Sequence, residues 1–116
     1  MRHFDYSSAT TVDDTIQLLG QDNTVKALAG GTDLLTLMKA DIATPSHLVD
    51  IKRLGEIPSG IEISENGTTL GALTTLAEIE LNEEIHARHP VLAQAAALAA
   101  TPQLRNMATI GGNLLQ

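Results

Sequence analysis

The spacing of apolar and polar positions changes several times along this chain, and each change marks a different element. Phe4-Asp5-Tyr6 reads as a short edge strand. Val12, Ile16 and Leu19 then fall at i, i+4 and i+7, the stripe of a helix that buries one face. Thr11 stands at the N-cap position, Asp13 and Asp14 sit in the first turn near the positive helix end, and Gly20 marks the stop. After the polar turn Gln21-Asp22-Asn23, the run from Val25 to Ala29 reads as a strand leading into Gly30-Gly31. A second helix follows, capped by Thr32 or Asp33 and carrying Leu34, Leu35, Leu37 and Met38. Pro45 closes the next loop, and His47 to Ile51 reads as a third strand. Strands alternating with helices predict parallel pairing across helical crossovers.

Pro58-Ser59-Gly60 breaks that pattern, which places a subdomain boundary near residues 52–60. Ile61-Glu62-Ile63-Ser64 and Thr68-Thr69-Leu70-Gly71 alternate on either side of Glu65-Asn66-Gly67, a hairpin signal. Thr74 or Thr75 caps a helix through Leu76, Ile79 and Glu80. Pro90 opens another, with Val91, Leu92, Ala95, Leu98 and Ala99 as its apolar positions. The alanines of that helix predict close approach to a neighbouring element.

Composition narrows the possibilities. At 116 residues and 43% hydrophobic content, the chain has material for a real but modest core. That core is aliphatic, because Phe4 and Tyr6 are the only aromatics. No apolar run approaches the roughly 18 residues that span a bilayer, and the N-terminus lacks the apolar segment of a signal peptide. A cytoplasmic location without membrane association is therefore expected. Cysteine is absent, which excludes disulfides, thiolate iron–sulfur ligation and cysteine-based zinc sites within this segment. Seven basic against fourteen acidic residues give a net charge of −7, a field that repels nucleic acid and anionic lipid. An anionic ligand must instead be held by backbone dipoles or by a few well-placed cations.

Two glycine pairs offer such dipoles. The first lies in Leu28-Ala29-Gly30-Gly31-Thr32-Asp33-Leu34, where a strand passes through a turn into a helix. Glycines admit positive φ and close backbone approach, so successive N–H groups there can surround an anion. Neither the P-loop nor the G-x-G-x-x-G pattern is present, and a plain strand-to-helix turn explains the same letters. A carboxylate beside a phosphate repels it, so Asp33 is expected to cap the helix and face away while Thr32 offers its hydroxyl. The second pair lies in Thr109-Ile110-Gly111-Gly112-Asn113, after a short β-like run, where exposed N–H groups are joined by the Thr109 and Asn113 side chains. A hairpin or bulge is the simpler explanation. Arg105, just upstream, would bring positive charge near.

Ala29-Gly30-Gly31-Thr32-Asp33-Leu34-Leu35, followed later by Arg105-Asn106-Met107-Ala108-Thr109-Ile110-Gly111-Gly112-Asn113-Leu114, resembles the flavoprotein subunit of the molybdenum hydroxylases. That family includes xanthine dehydrogenases, carbon monoxide dehydrogenases and bacterial aldehyde oxidoreductases. Phe4-Asp5-Tyr6 and the helix with Val12-Asp13-Asp14 also look like its start. The resemblance implies an α+β fold of the molybdopterin-dehydrogenase, PCMH-like FAD-binding type. Residues 1–55 would form a small βαβ subdomain and residues 56–116 the first, incomplete part of a second α+β subdomain. FAD would be the cofactor, its pyrophosphate held by Ala27, Leu28, Ala29, Gly30, Gly31, Thr32, Asp33 and Leu34 on one side and by Thr109, Ile110, Gly111, Gly112 and Asn113 on the other. In such enzymes a molybdenum-cofactor subunit oxidises substrate, and a subunit with 2Fe–2S clusters relays electrons through FAD to NAD or another acceptor. These two subunits are the implied partners. No residue here is implied as a catalytic acid, base or metal ligand.

Family members run well beyond residue 116, and the remainder supplies further FAD contacts. Two other readings therefore stand beside the first: a truncated chain with a structural or subunit-contact role, and a non-flavin nucleotide-binding module. His86 and His89 have a metal-binding spacing but no evident third ligand, and read as a solvated helix end. Glu83-Glu84 and Asp13-Asp14 read as helix-start acids, and Met38 and Met107 as packing residues. Ser7 and Ser8 lack a partner that would make a nucleophile.

Overall fold

A computed structural model describes residues 1–116 and resolves two compact units, Met1–Ile57 and Pro58–Gln116. In the first, β1 (Asp5–Ser8), α1 (Val12–Gln21), β2 (Val25–Leu28), α2 (Leu34–Lys39) and β3 (His47–Asp50) follow in order. The three strands are parallel in the order β1-β3-β2, with Ser8 and Leu28 both level with Asp50. All three strands thus end at one edge of the sheet.

This order explains where the helices go. The first crossover moves two places across the sheet and the second moves one place back. Right-handed crossovers then require the two helices to lie on opposite faces. The core divides accordingly: Val25 and Val49 pack with Val12, Leu18 and Leu19 of the α1 side, while Leu28 and Leu48 pack with Met38, Leu34 and Leu35 of the α2 side. Leu48 and Val49 are adjacent in sequence, point to opposite faces and are both essentially inaccessible, because β3 is the central strand. Thr11 caps α1, its hydroxyl accepting from the Asp14 N–H at 3.1 Å. The helix continues past Gly20 to Gln21, so that glycine lies inside the last turn rather than ending it.

The second unit packs a hairpin, β4 (Ile61–Ser64) and β5 (Gly67–Leu70), with five short helices. The strands pair Ser64 with Gly67, so the turn is Glu65-Asn66, and the glycine expected in the loop instead starts β5 at φ +143°. The helices are α3 (Leu76–Leu81), α4 (Glu83–Arg88), α5 (Pro90–Leu98), α6 (Pro102–Arg105) and α7 (Ile110–Leu114). Thr75, not Thr74, starts α3, in a reciprocal capping box with Glu78. Leu76, Ile79, Ile85, Ala93, Ala96 and Ile110 form the core. Ala93 and Ala96 are the buried positions of α5, and their small side chains permit close packing against α3. Val91 and Leu98, expected on its apolar face, are exposed.

Gly71 marks a close backbone crossing. A Cβ there would lie 2.5 Å from the carbonyl carbon of Pro58, so no other residue fits without moving the main chain. No helix is long and apolar enough to cross a membrane.

Candidate functional site

The first glycine pair emerges at the sheet edge where all three strands end. Open sheets with parallel strands and helical crossovers tend to bind ligands beyond the carboxyl ends of their strands. Ala27 and Leu28 are the last residues of β2, with Leu28 buried, and Leu34 opens α2 and packs into the core. These three fix the ends of the loop. Between them Gly31 adopts φ +77°, and a Cβ at that position would meet Leu28 Cδ1 at 3.0 Å and Leu35 Cδ1 at 3.1 Å. Glycine is therefore favoured by conformation, and a Cβ would in addition need the two leucine side chains to give by a few tenths of an ångström.

Several of the loop's carbonyls are engaged, but its donors are not. Gly31 O accepts from the Leu35 N–H at 3.0 Å, and Thr32 O accepts from the Thr36 hydroxyl at 2.8 Å. The N–H groups of Gly30, Gly31 and Thr32 donate to no other backbone carbonyl. Three consecutive unpaired donors at a half-buried turn suit an anion with several acceptor oxygens.

Asp33 corrects one expectation. It occupies the N-cap position of α2, but its side chain makes no capping hydrogen bond. The reason is its backbone, at φ −90° and ψ −52°, where capping by a side chain requires the extended region.

Two residues that the sequence did not single out complete this edge. Asp50, at the end of β3, is 6% exposed and accepts from the Tyr6 hydroxyl at 2.7 Å and from the Lys52 N–H at 2.8 Å. The Lys52 ammonium pairs at 2.8 Å with the same Asp50 oxygen that accepts from Tyr6, and also donates to Ala29 O at 3.3 Å. Burial pushes the Asp50 carboxyl up. Hydrogen bonds from the Lys52 side chain, Tyr6 and the Lys52 N–H, together with the Lys52 charge, outweigh it and hold the group below the usual carboxylate range. The Tyr6 hydroxyl is raised, first by donating to Asp50, then by partial burial and by the Asp50 charge, with Arg53 opposing. A faint signal existed: an Asp closing a strand is the residue that starts an Asx turn onto the backbone N–H two residues on.

The second glycine pair is built differently. Thr109 forms a single antiparallel bridge with Thr75, and Gly111-Gly112 lie in the first turn of α7, so neither a hairpin nor a β-run with free donors is present. The Ile110 N–H donates to Thr74 O and the Gly111 N–H to Ala72 O, both at 2.9 Å. A Cβ on Gly111 would lie 2.9 Å from that Ala72 oxygen, so this glycine serves close approach of two backbone segments. Only the exposed Gly112 N–H is left without an acceptor in this pair. The buried Thr109 makes no side-chain cap; the Asn113 side chain is exposed, and the Asn113 backbone N–H donates to Thr109 O.

Arg105 is a second correction. It is 8% exposed, and its guanidinium grips Glu80 through Nε at 2.8 Å and Nη2 at 3.2 Å. Its Nη1 donates to the carbonyls of Ala99 and Ala100 at 3.2 and 3.1 Å. With every nitrogen committed inside the unit, Arg105 brings no available charge to an anion. The two histidines are likewise occupied: His86 bonds Glu80 O, and His89 bonds the Thr68 hydroxyl at 2.9 Å.

With this geometry in view, comparison with known proteins defines the class. The profile of the FAD binding domain in molybdopterin dehydrogenase matches residues 2–116, and the chain belongs to that family. It is 42% identical over 114 residues to the carbon monoxide dehydrogenase medium chain of Hydrogenophaga pseudoflava, covering 96% of this chain and 39% of that one. It is 40% identical over 116 residues to the xanthine dehydrogenase FAD-binding subunit of Escherichia coli O157:H7, with coverages of 96% and 39%. A solved carbon monoxide dehydrogenase from Hydrogenophaga pseudoflava superposes with a TM-score of 0.89 at 40% identity, over 97% of this chain and 39% of that one. Quinoline 2-oxidoreductase from Pseudomonas putida 86 gives 0.86 at 29% identity, over 98% and 40%. The chain thus spans about two fifths of the relatives it matches.

Proposed function

We propose that this chain is the FAD-binding segment of the flavoprotein subunit of a molybdenum-containing oxidoreductase, located in the cytoplasm. The observation that carries the reading is the run of unpaired N–H groups at Gly30, Gly31 and Thr32, at the carboxyl edge of a parallel sheet. In a chain of net charge −7, a diphosphate is held by such local dipoles and not by the overall field. Gly30, Gly31 and Thr32 hold the pyrophosphate, between ends fixed by Ala27, Leu28, Ala29 and Leu34, with Asp33 at the loop's outer side. Gly112 and Asn113 supply further donors, on a frame set by Thr109, Ile110 and Gly111. The bound flavin supplies the redox chemistry, and the chain's residues bind and orient it.

Within the complete enzyme, a molybdenum-cofactor subunit and a 2Fe–2S subunit are the partners, and electrons leave through this site to NAD or another acceptor. Residues 1–57 and 58–116 act as two subdomains of the flavoprotein. Titration of the chain with FAD, ADP and ATP tests the central claim, with quenching of flavin fluorescence as one readout. A marked preference for FAD is expected. Equal affinity for all three would replace the flavin reading with that of a general nucleotide-binding module.

A further inference from the structure

A Gly-Gly loop is a poor anion site unless something fixes which way its donors point. Gly30 has no Cβ to bar rotation about its own backbone, so the Ala29–Gly30 peptide can turn over at little cost. That peptide is planar and trans, so its carbonyl and its N–H point in opposite directions. Whatever holds the Ala29 carbonyl therefore also aims the Gly30 N–H.

Lys52 holds it. Its ammonium donates to Ala29 O at 3.3 Å and to Asp50 Oδ2 at 2.8 Å. Asp50 is itself immobilised by burial, by the Tyr6 hydroxyl and by the Lys52 N–H. A chain of contacts thus runs from β1 through Asp50 and Lys52 to the loop after β2. The parallel register, which sets Leu28 beside Asp50, makes it short enough to close.

We propose that Lys52 is a positioning residue for the dinucleotide: by fixing the Ala29 carbonyl it aims the Gly30 N–H at the pyrophosphate and so sets FAD affinity. The claim about affinity rests on the flavin reading given above, whereas the claim about orientation stands apart from it. Lys52 is more than one third exposed, so replacing it disturbs the core little.

Two readouts on the full chain separate these claims. The first is the Gly30 amide resonance and its heteronuclear NOE without ligand, and the second is the dissociation constant for FAD. In Lys52→Met the Gly30 resonance should move and lose order, and FAD affinity should fall about tenfold, the scale of a hydrogen bond to a charged group. Lys52→Arg, which keeps the charge and the donors, should return both toward the wild-type values. Tyr6→Phe removes one of several restraints on Asp50 without touching Ala29, and should move Gly30 far less than Lys52→Met does. An unchanged Gly30 resonance in Lys52→Met overturns the proposal, as does a response to Tyr6→Phe of the same size. Unchanged FAD affinity in Lys52→Met, with Gly30 displaced, also overturns the positioning role. If Gly30 responds as expected but the wild-type chain binds no FAD, the flavin reading fails while Lys52 is upheld as the residue that orients Gly30.

Discussion

Gly30-Gly31 and Gly111-Gly112 are the same dipeptide, but Gly31 and Gly111 serve different ends. At the first pair a positive φ at Gly31 leaves a row of backbone donors without partners. At the second, the Gly111 N–H is already bonded to Ala72, and the missing side chain lets two backbone segments touch. One loop is kept open by its conformation, and the other is closed by its packing. The difference predicts that the first region is sensitive in ligand binding, and that the second is sensitive in stability before binding is even measured.

The strongest way to break this comparison is at Arg105. Its guanidinium, at the end of α6, ties α3 and the connection after α5 together through Glu80, Ala99 and Ala100. Arg105→Met leaves Glu80 without its cation and two carbonyls without donors. Removing one partner of a largely buried pair should cost about 3 kcal/mol or more. Hydrogen exchange should show the loss at Ile79 and not at Val49, because the two lie in separate units. Equal loss at both sites would mean that Arg105 supports more than the second unit.

The next test sets the two glycines of the second pair against each other. Gly111→Ala forces a Cβ against the Ala72 oxygen and should destabilise the unit by roughly 1–3 kcal/mol. Gly112→Ala meets nothing within 4 Å and lies in a helix, so it should stabilise by up to about 1 kcal/mol. Urea unfolding of both variants reads the sign directly. The same sign in both would refute the packing account of Gly111.

Gly31→Ala sharpens the contrast from the other side. A left-handed backbone costs a residue with a Cβ roughly 1–2 kcal/mol, and here the Cβ also presses on Leu28 and Leu35. Stability should fall modestly, while FAD titration should show a larger relative loss because the donors are displaced. If Gly31→Ala loses stability but binds FAD as the wild type does, the first loop is only a turn.

Much of the fold was legible because it depends on local periodicity. The βαβαβ order, the Thr11 cap and the Pro90 helix start all follow from spacing and end signals. The second loop departs from its local pattern for a reason that is equally physical. Thr109-Ile110-Gly111-Gly112 has poor helix propensity, yet α7 forms because its first N–H groups find carbonyls at Ala72 and Thr74, far away in sequence. The place of Arg105 is likewise invisible locally, because its partner Glu80 lies on a different helix. The role of Asp50 and Lys52 has no local signature, because it needs the parallel register that brings Ala29 beside them. Local patterns reached the elements, and long-range partners decided what the loops do.

The smallest expected effect is a pH dependence confined to the first region. Asp50 gives up its proton more readily when folded than when unfolded, so its charged form favours the folded state. That contribution is complete above the unfolded carboxylate value of about 4, and it is lost as pH falls through the lower folded value. Tyr6 has the opposite sign: its folded value is raised, so its contribution holds below the unfolded tyrosine range and fades as pH climbs through the raised value. Asp50→Asn should therefore flatten the acid limb of stability in the first unit and leave the second unit's acid limb unchanged. The measurement is hydrogen exchange at Val49 and Ile79 in wild type and variant, taken from neutral pH down to about pH 3. Parallel acid limbs at Val49 in the two proteins would show that the Asp50 node contributes nothing beyond its neutral hydrogen bonds. The brace on Ala29 would then have to hold without the charge of its carboxylate.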